Sequence, residues 1–230
     1  MVEIAALVVG DPPQLWRELG FVVDGDACWV SGVRHQLGAS GEGVTAWALR
    51  PDPLLPPTGI PVTELPLADG PLADVSSTAA EATPAHPNGV IALDHVVVFT
   101  PDLARTIDAF EVAGIRLRRT RDAGTKDRPM TQAFFRLGAT ILEVVGPPTT
   151  MKPSPSTPSM STPSTSPPSA SGRGPARFFG LAFTVEDLDA TATLLGARLR
   201  PPQDAVQPGR RIATVDRAAG SSVPIAFMSP

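Results

Sequence analysis

The chain has 230 residues, of which 19 are Lys or Arg and 23 are Asp or Glu, so its formal net charge is −4. This length allows one large domain or two small ones. A net acidic chain lacks the basic excess that is typical of nucleic-acid-binding proteins, so we expect no nucleic-acid partner. Cys28 is the only cysteine, which excludes an intrachain disulfide and a site built from several thiolates.

The hydropathy pattern favours a folded protein outside the membrane. Hydrophobic residues make up 42% of the chain, which is enough to bury a core. No apolar run approaches the ~18 residues needed to span a bilayer, and the N-terminal segment lacks a basic start. We therefore expect a cytoplasmic protein with no membrane partner.

Two changes in composition divide the chain. Pro, Ser and Thr fill 19 of the 26 positions from Thr149 to Gly174. Such a segment buries too little apolar surface to offset its chain entropy. A similar but weaker bias covers residues 69–89. We predict folded pieces at residues 1–68, 90–148 and 175–230, with a connector at 69–89 and a flexible linker at 149–174.

The first piece predicts the order β-α-β-β-β in a degenerate form. Ile4–Val9 is an apolar run typical of a strand, and Asp11 followed by Pro12 predicts the start of a helix. Leu15 and Leu19 then lie on one face of that helix. Further extended segments are predicted at Phe21–Val23, Ala27–Val30, Val33–Leu37 and Val44–Leu49.

A hairpin is predicted within the first piece. A two-residue loop at Ser31 and Gly32 would place Cys28 directly opposite His35. A Cys–His pair can activate a thiolate, but no orienting third group is evident. The alternative is a buried small side chain beside a surface histidine. All three tryptophans lie in this piece, and we predict that they pack between modules: Trp16, Trp29 and Trp47.

The second piece shows the same order of elements more clearly. Ile91–Thr100 predicts a strand, and Thr100 is a suitable N-cap for a helix that begins at Pro101. One apolar face of that helix is formed by Leu103, Ile107 and Phe110, and Gly114 ends it. Three further strands are predicted at Ile115–Arg119, Ala133–Leu137 and Thr140–Val145.

The third piece repeats the second at an offset of 85 residues. Arg177–Val185 predicts its first strand, and Leu188, Ala192 and Leu195 repeat the apolar helix face. A unit of this size cannot bury both faces of its sheet alone, so we expect it to pair with another unit. The alternative is a generic α+β domain. The remaining strands are predicted at Ala197–Arg200, Arg211–Val215 and Val223–Met228.

Four sequence segments resemble the vicinal oxygen chelate superfamily, which includes glyoxalase I, the extradiol dioxygenases and the fosfomycin- and bleomycin-resistance proteins. The segments are LDHVVVFTPDLART (93–106), ILEVVGPP (141–148), FGLAFTVEDLDAT (179–191) and PIAFMSP (224–230). The resemblance implies an α+β fold, in which repeated β-α-β-β-β modules pair into a curved mixed sheet around a small-molecule cavity.

The resemblance also implies a site. In that superfamily the first and fourth strands of a module carry His, Gln or Glu side chains that bind a divalent metal. The matching positions here are His95 and Glu143. A divalent metal such as Ni, Zn, Fe or Mn would then be the cofactor. Glu143 would serve as ligand or catalytic base in a metal-assisted isomerase, lyase or dioxygenase reaction.

The other pieces depart from this pattern. Alignment puts Gly180 opposite His95 and Ile225 opposite Glu143, and the first piece offers only Ala6 and Ala48. Two protein ligands hold a metal weakly, so we expect no tightly bound metal. Two explanations remain open. The pair could line a metal-free cavity in a non-catalytic binding or sequestering protein of the bleomycin-resistance type, or a homodimer could bring two copies of the module together.

A basic cluster offers a second candidate site. Alternation along the predicted strand places Arg116 and Arg118 on one face, where they could bind an anionic substrate through bidentate contacts. The alternative is a solvated strand edge that discourages aggregation. His86 lies in a predicted turn, where we expect a structural role. A module that recruits a partner through residues 149–174 is a further possibility, which rests on that segment alone.

Overall fold

The structure, a computed structural model, describes residues 2–50, 84–148 and 174–230. The predicted connector at 69–89 and the predicted linker at 149–174 lie outside these ranges, except for residues 84–89 and 174. The three described ranges are called the N-terminal unit (2–50), the first half (84–148) and the second half (174–230). No helix within them is both long and apolar enough to cross a bilayer.

The N-terminal unit is a four-stranded sheet with one short helix. Its strands occur in the order β2-β3-β1-β4, so that β1 is parallel to β3 and antiparallel to β4. The elements are β1 (Glu3–Val9), α1 (Pro13–Glu18), β2 (Ala27–Val30), β3 (Val33–Gln36) and β4 (Val44–Arg50).

The two halves together form one eight-stranded sheet with the order β10-β11-β12-β9-β5-β8-β7-β6. Each half therefore has its first strand at the centre of the sheet and its second strand at an edge. The first half contains β5 (Val90–Phe99), α2 (Leu103–Val112), β6 (Leu117–Thr125), β7 (Arg128–Leu137) and β8 (Thr140–Gly146). The second half contains β9 (Arg177–Val185), α3 (Leu188–Leu195), β10 (Gln203–Asp204), β11 (Arg211–Thr214) and β12 (Ile225–Met228).

The halves join where β5 pairs antiparallel with β9. His95 lies opposite Ala182, and Val97 lies opposite Gly180. These two pairs are equivalent under the 85-residue offset, so the sequence repeat is also a structural repeat. Each strand carries a β-bulge at the equivalent position, with Asp94 as the extra residue in β5 and Phe179 as the extra residue in β9.

One face of the large sheet is covered. Helix α2 contacts β6, β7 and β8, and α3 contacts β11. The N-terminal unit covers the centre of the sheet. There the ring centroids of Trp16 and Phe183 are 6.1 Å apart, and those of Trp47 and Phe178 are 5.4 Å apart. The prediction that tryptophans pack between modules is thus confirmed for these two. Trp29 instead packs against alanines of its own sheet: Ala5, Ala6 and Ala48.

The opposite face of the large sheet is called the open face. Since side chains alternate along a strand, it carries the residues that lie between buried core positions such as Val96, Val98, Leu142 and Val144. The sheet is curved, and its strand order matches two paired β-α-β-β-β modules. The predicted α+β fold is therefore confirmed.

Two predicted helix starts were wrong in their capping residue. Asp102, and not Thr100, caps α2 by accepting a hydrogen bond from the Arg105 amide. Asp11 does not cap α1. It is buried, and its carboxylate accepts hydrogen bonds from the Ser221 hydroxyl and the Ser222 amide, which ties the N-terminal unit to the second half.

Two predicted strands also differ. The segment predicted as a strand at 115–119 begins only at Leu117 but continues to Thr125. The segment predicted at 197–200 contains a short 3-10 helix at Gly196–Arg198, and the edge strand follows at Gln203–Asp204. Both segments form edge strands whose residues are mostly exposed, so the apolar pattern determines their position only weakly.

Candidate small-molecule site on the open face

His95 and Glu143 lie on the open face, on neighbouring parallel strands. In the register of β5 and β8, His95 is opposite Ile141 and Val97 is opposite Glu143. Both side chains therefore point to the same side of the sheet. A spacing of ~4.8 Å between strands and a rise of ~3.3 Å per residue separate the two Cα atoms by roughly 8 Å.

The bulge in β5 places a carboxylate beside His95. Asp94 and His95 both lie on the open face, and His95 Nδ1 is 3.7 Å from Asp94 Oδ2. Arg210 Nη1 donates hydrogen bonds to both carboxylate oxygens of Asp94, at 3.3 and 2.8 Å. Burial opposes ionisation of Asp94, but the His95 and Arg210 side chains hold the pKa of Asp94 below its ordinary value. A negative charge is therefore fixed beside the imidazole.

Glu143 is part of a chain of hydrogen bonds along the open face. Gln132 Nε2 donates to Glu143 Oε1 at 2.5 Å, and Arg121 Nε donates to Gln132 Oε1 at 2.8 Å. The amide of Gln132 is thus fixed in one orientation, with its NH₂ group towards the carboxylate. One oxygen of Glu143 is occupied, and the other has no protein partner among the described residues.

The arginines of β6 are arranged differently from the prediction. A bulge between Leu117 and Arg119 interrupts the alternation, so Arg119 and Arg121 are the residues that share a face with Gln132. The guanidinium carbon of Arg119 lies 4.5 Å from the ring centroid of Phe134. Arg116 precedes the strand and Arg118 lies at the bulge, and both are exposed. A bulge has no reliable signature in a single sequence.

The second half places small or apolar side chains at the equivalent positions. Gly180 corresponds to His95, as predicted. The counterpart of Glu143 is Ala226 and not Ile225, because Ala182 pairs with Ala226 in β12 just as Val97 pairs with Glu143 in β8. Ile225 is fully buried on the covered face.

The residues present do not fit a divalent metal. A Gln ligand would bind through Oε1, but this atom of Gln132 accepts the Arg121 hydrogen bond. The carboxylate of Asp94 already forms an ion pair with Arg210. No group of three or more His, Cys, Asp or Glu side chains among the described residues could hold a metal ion. Moreover, β9 fills the edge of β5 on which a second copy would pair to supply more ligands.

A cavity of about 590 Å³ lies further along the open face, at the C-terminal end of β5. It spans the junction of the two halves. His95 and Glu143 are not among its lining residues, although Val145 lies two positions beyond Glu143 on the same strand. The lining residues are Phe99, Thr100, Pro101, Met130, Val145, Gly174, Pro175 and Arg177.

The predicted Cys28–His35 pairing is confirmed, since the two residues are opposite each other in β2 and β3. The expectation of a surface histidine was wrong, because His35 is fully buried. Burial raises the pKa of the Cys28 thiol to about 12 and lowers the pKa of His35 to about 4. Neither group is suited to nucleophilic chemistry, because a neutral thiol is a poor nucleophile.

His86 has the structural role predicted for it. Its Nδ1 accepts a hydrogen bond from the Val22 amide, and its Nε2 contacts the Trp29 carbonyl oxygen at 3.1 Å. These bonds connect the start of the first half to the N-terminal unit.

Several residues around the candidate site were not assigned to it from the sequence, although Arg121 and Arg210 belong to basic clusters that the sequence shows. Asp94 had a signal, since it is the direct neighbour of His95, but strand alternation would have placed it on the covered face. Gln132 and Arg121 become apparent only from the register of three strands. Arg210 reaches the site from the segment between β10 and β11, for which the sequence contains no indication.

Comparison with known proteins gives a family and several similar folds. A family model described as a glyoxalase-like domain matches residues 93–227, which is more than half of the chain. No curated protein matches the sequence.

Three solved structures illustrate the structural likeness. Methylmalonyl-CoA epimerase from Mycobacterium tuberculosis is 19% identical, with 62% of this chain and 89% of that chain covered and a TM-score of 0.42. The Streptomyces coelicolor methylmalonyl-CoA epimerase is also 19% identical, over 61% of this chain and 94% of that chain, with a TM-score of 0.41. A hypothetical protein from Bacillus halodurans is 14% identical, over 60% and 93% of the two chains, with a TM-score of 0.39.

The family match covers both halves of the large sheet, and the strand order of those halves is that of paired β-α-β-β-β modules. The chain belongs to the glyoxalase-like domain family, within the vicinal oxygen chelate superfamily.

Proposed function

We propose that this protein binds a small molecule on its open face without a metal and without catalysing a reaction. His95 and Glu143 serve as hydrogen-bonding groups for the ligand. The observation that carries this proposal is that the polar groups nearest to His95 and Glu143 are already bonded to arginines, while the second half places Gly180 and Ala226 at the positions equivalent to His95 and Glu143.

The two polar groups are suited to recognition. Glu143 keeps one carboxylate oxygen for a ligand, and Gln132 holds the other oxygen in place. Hydrogen bonds that involve a charged group contribute about 1.5–3 kcal/mol each. A ligand with a hydroxyl or amine donor close to an apolar body would therefore match the first half through its polar end and the second half through its apolar surface.

Metal-assisted isomerase, lyase or dioxygenase chemistry is the competing function. It would need more ligands than His95 and Glu143. A homodimer could supply them only by a contact that leaves the pairing of β5 with β9 intact. The second half places no metal-binding side chain at the positions equivalent to His95 and Glu143, which favours binding over metal chemistry.

The first experiment measures metal in the purified full-length protein together with the midpoint of thermal unfolding in the presence and absence of EDTA. We expect less than one metal per chain and an unchanged midpoint. Stoichiometric Ni, Zn, Fe or Mn that is lost in the His95→Ala variant would instead establish metal binding and overturn the proposal.

The second experiment measures binding to the open face with two neutral probes, 2-naphthol and 2-methoxynaphthalene, which differ in one hydroxyl donor. We expect the protein to prefer 2-naphthol and Glu143→Ala to reduce this preference about tenfold. Arg217→Gln, at an exposed position in a 3-10 helix of the second half, is the matched control and should change nothing. Equal binding of both probes to the native protein would contradict a recognition role for Glu143.

A further inference from the structure

We propose that the cavity at the end of β5 binds the apolar body of a monocarboxylate and that Arg177 binds its carboxylate group. This inference names the ligand class of the open face, and it rests on the proposed binding function.

The cavity has the size and lining of a small-molecule site. Its volume of about 590 Å³ lies within the ~300–1,000 Å³ that is usual for ligand pockets. Its floor is formed by open-face side chains of three neighbouring strands, namely Phe99, Val145 and Met130. These side chains are apolar, and no acidic residue of the described ranges lines the cavity. The body of the ligand should therefore be a hydrocarbon or an aromatic ring.

One wall of the cavity is fixed by a hydrogen bond from helix α2. Arg105 Nη2 donates to the carbonyl oxygen of Gly174 at 2.5 Å. Gly174 and Pro175 lead into β9, while Thr100 and Pro101 connect β5 to α2 on the other side. The cavity is thus bordered by both halves, and this hydrogen bond holds one of its walls in place, which lowers the entropic cost of binding.

Among the described residues, Arg177 is the one charged residue in the cavity lining. It lies opposite Phe99 at the junction of β5 and β9, and its side chain is exposed. It forms no ion pair with any described residue. Three arginines of the second half differ in this respect, since Arg200, Arg210 and Arg211 are paired with Asp216, Asp94 and Asp189.

A guanidinium group that has no ion-pair partner in the described part of the chain, and that lies beside an apolar cavity, is suited to a carboxylate. Its planar fork of donors matches the two oxygens and can form a bidentate contact. A neutral ligand of the same shape would lose this contact. The charge of Arg177 therefore predicts a preference for the anion, and the lining predicts that the rest of the ligand is apolar.

The test uses two probes of the same shape, 2-naphthoate and 2-naphthamide, and the full-length protein. Affinities are measured by isothermal titration calorimetry for the native protein, Arg177→Gln and the control Arg217→Gln. We expect the native protein and the control to bind the carboxylate about tenfold more tightly than the amide. Arg177→Gln should abolish this preference and retain the affinity for the amide.

Met130→Trp adds a second test, because a larger side chain in the floor of the cavity should lower the affinity for both probes by a similar factor. Thermal unfolding reports whether this variant is folded. A carboxylate preference that is absent from the native protein, or that persists in Arg177→Gln, would overturn the proposal. In that case the binding function itself survives if Glu143→Ala still removes the preference for 2-naphthol. If Arg177→Gln has the expected effect but Glu143→Ala does not, the anion site stands and the role of Glu143 fails.

Discussion

The two halves of the large sheet have the same strand order and equivalent bulges but different side chains on the open face. The first half carries Asp94, His95 and Glu143, whereas the second half carries Phe179, Gly180 and Ala226 at the same positions. The pairing that joins the halves is made by main-chain atoms, so it is compatible with different open-face side chains in the two halves. One backbone plan can therefore present a polar surface on one side and an apolar surface on the other.

Close packing explains why the second half has no histidine at the equivalent position. A Cβ atom on Gly180 would lie 2.7 Å from the carbonyl oxygen of Pro224. That oxygen is held in place, because it accepts a hydrogen bond from the Leu181 amide at 2.9 Å. Any residue other than glycine requires the backbone to move. The difference between His95 and Gly180 is thus a difference in backbone geometry as well as in side chain.

The largest predicted effect is a loss of stability at acidic pH, and it comes from a histidine that is buried where the N-terminal unit covers the second half. His35 is buried between Trp16 and Phe183, with ring centroids 5.3 and 5.6 Å away. Burial lowers the pKa of His35 to about 4, although hydrogen bonds to the Cys28 and Val33 backbones act in the opposite direction. In the unfolded chain the imidazole has its ordinary pKa of about 6.5.

The unfolded chain therefore binds more protons between pH 4 and pH 6.5 than the folded chain does. This contribution to the free energy of unfolding is complete above pH 6.5 and falls by about 3 kcal/mol as the pH decreases to 4. Urea unfolding at several pH values, with His35→Phe beside the native protein, measures it. Parallel pH profiles for the two proteins would contradict the prediction.

The second prediction addresses the difference between Gly180 and His95 directly. Gly180→Ala should lower the free energy of unfolding by about 2 kcal/mol, since overpacking against a fixed group costs ~1–3 kcal/mol. His95→Ala, at the equivalent position of the first half, is the control and should cost about 1 kcal/mol or less. Chemical unfolding at pH 7 measures both. Equal costs would mean that the Pro224 carbonyl can move aside.

The third prediction compares two neighbouring arginines that contact different halves. Arg210 reaches across to Asp94 of the first half, where the two side chains are 20% and 13% exposed. Removing one partner leaves a largely buried charge, so Arg210→Met should cost about 1–2 kcal/mol. Arg211 pairs with Asp189 within the second half, at 43% and 70% exposure, and Arg211→Met should cost less than ~0.5 kcal/mol.

A double-mutant cycle with Asp94→Asn and Arg210→Met, again by urea unfolding at pH 7, isolates the coupling between the two side chains. A coupling near zero would show that Arg210 does not hold Asp94 in place beside His95.

The order of elements could be predicted from the sequence because it depends on local patterns. The apolar run before Thr100, the helix face that includes Leu103 and Phe110, and the same pattern 85 residues later each specify one element. The Ser31–Gly32 loop likewise fixed the register of β2 and β3, since a two-residue hairpin leaves no freedom in the pairing.

The site was only partly predictable, because it depends on contacts between distant segments. His95 and Glu143 were found through the resemblance of their strands to a known family. Arg119 and Arg121 were not preferred over Arg116 and Arg118, because a single bulge reverses the alternation on which that choice relied. Arg177 was not predicted as a binding group, since only the pairing of β5 with β9 brings it beside Phe99.

The covalent connection of both halves in one polypeptide has an evolutionary consequence. If a symmetric dimer of a single module formed the same sheet, every substitution would occur twice, once on each side of the two-fold axis. Such an assembly could present two imidazoles or none at the junction, but never one. Because each half has its own codons, the chain can keep an imidazole on one side and a glycine on the other. An asymmetric site of this kind can bind a ligand that has no internal symmetry.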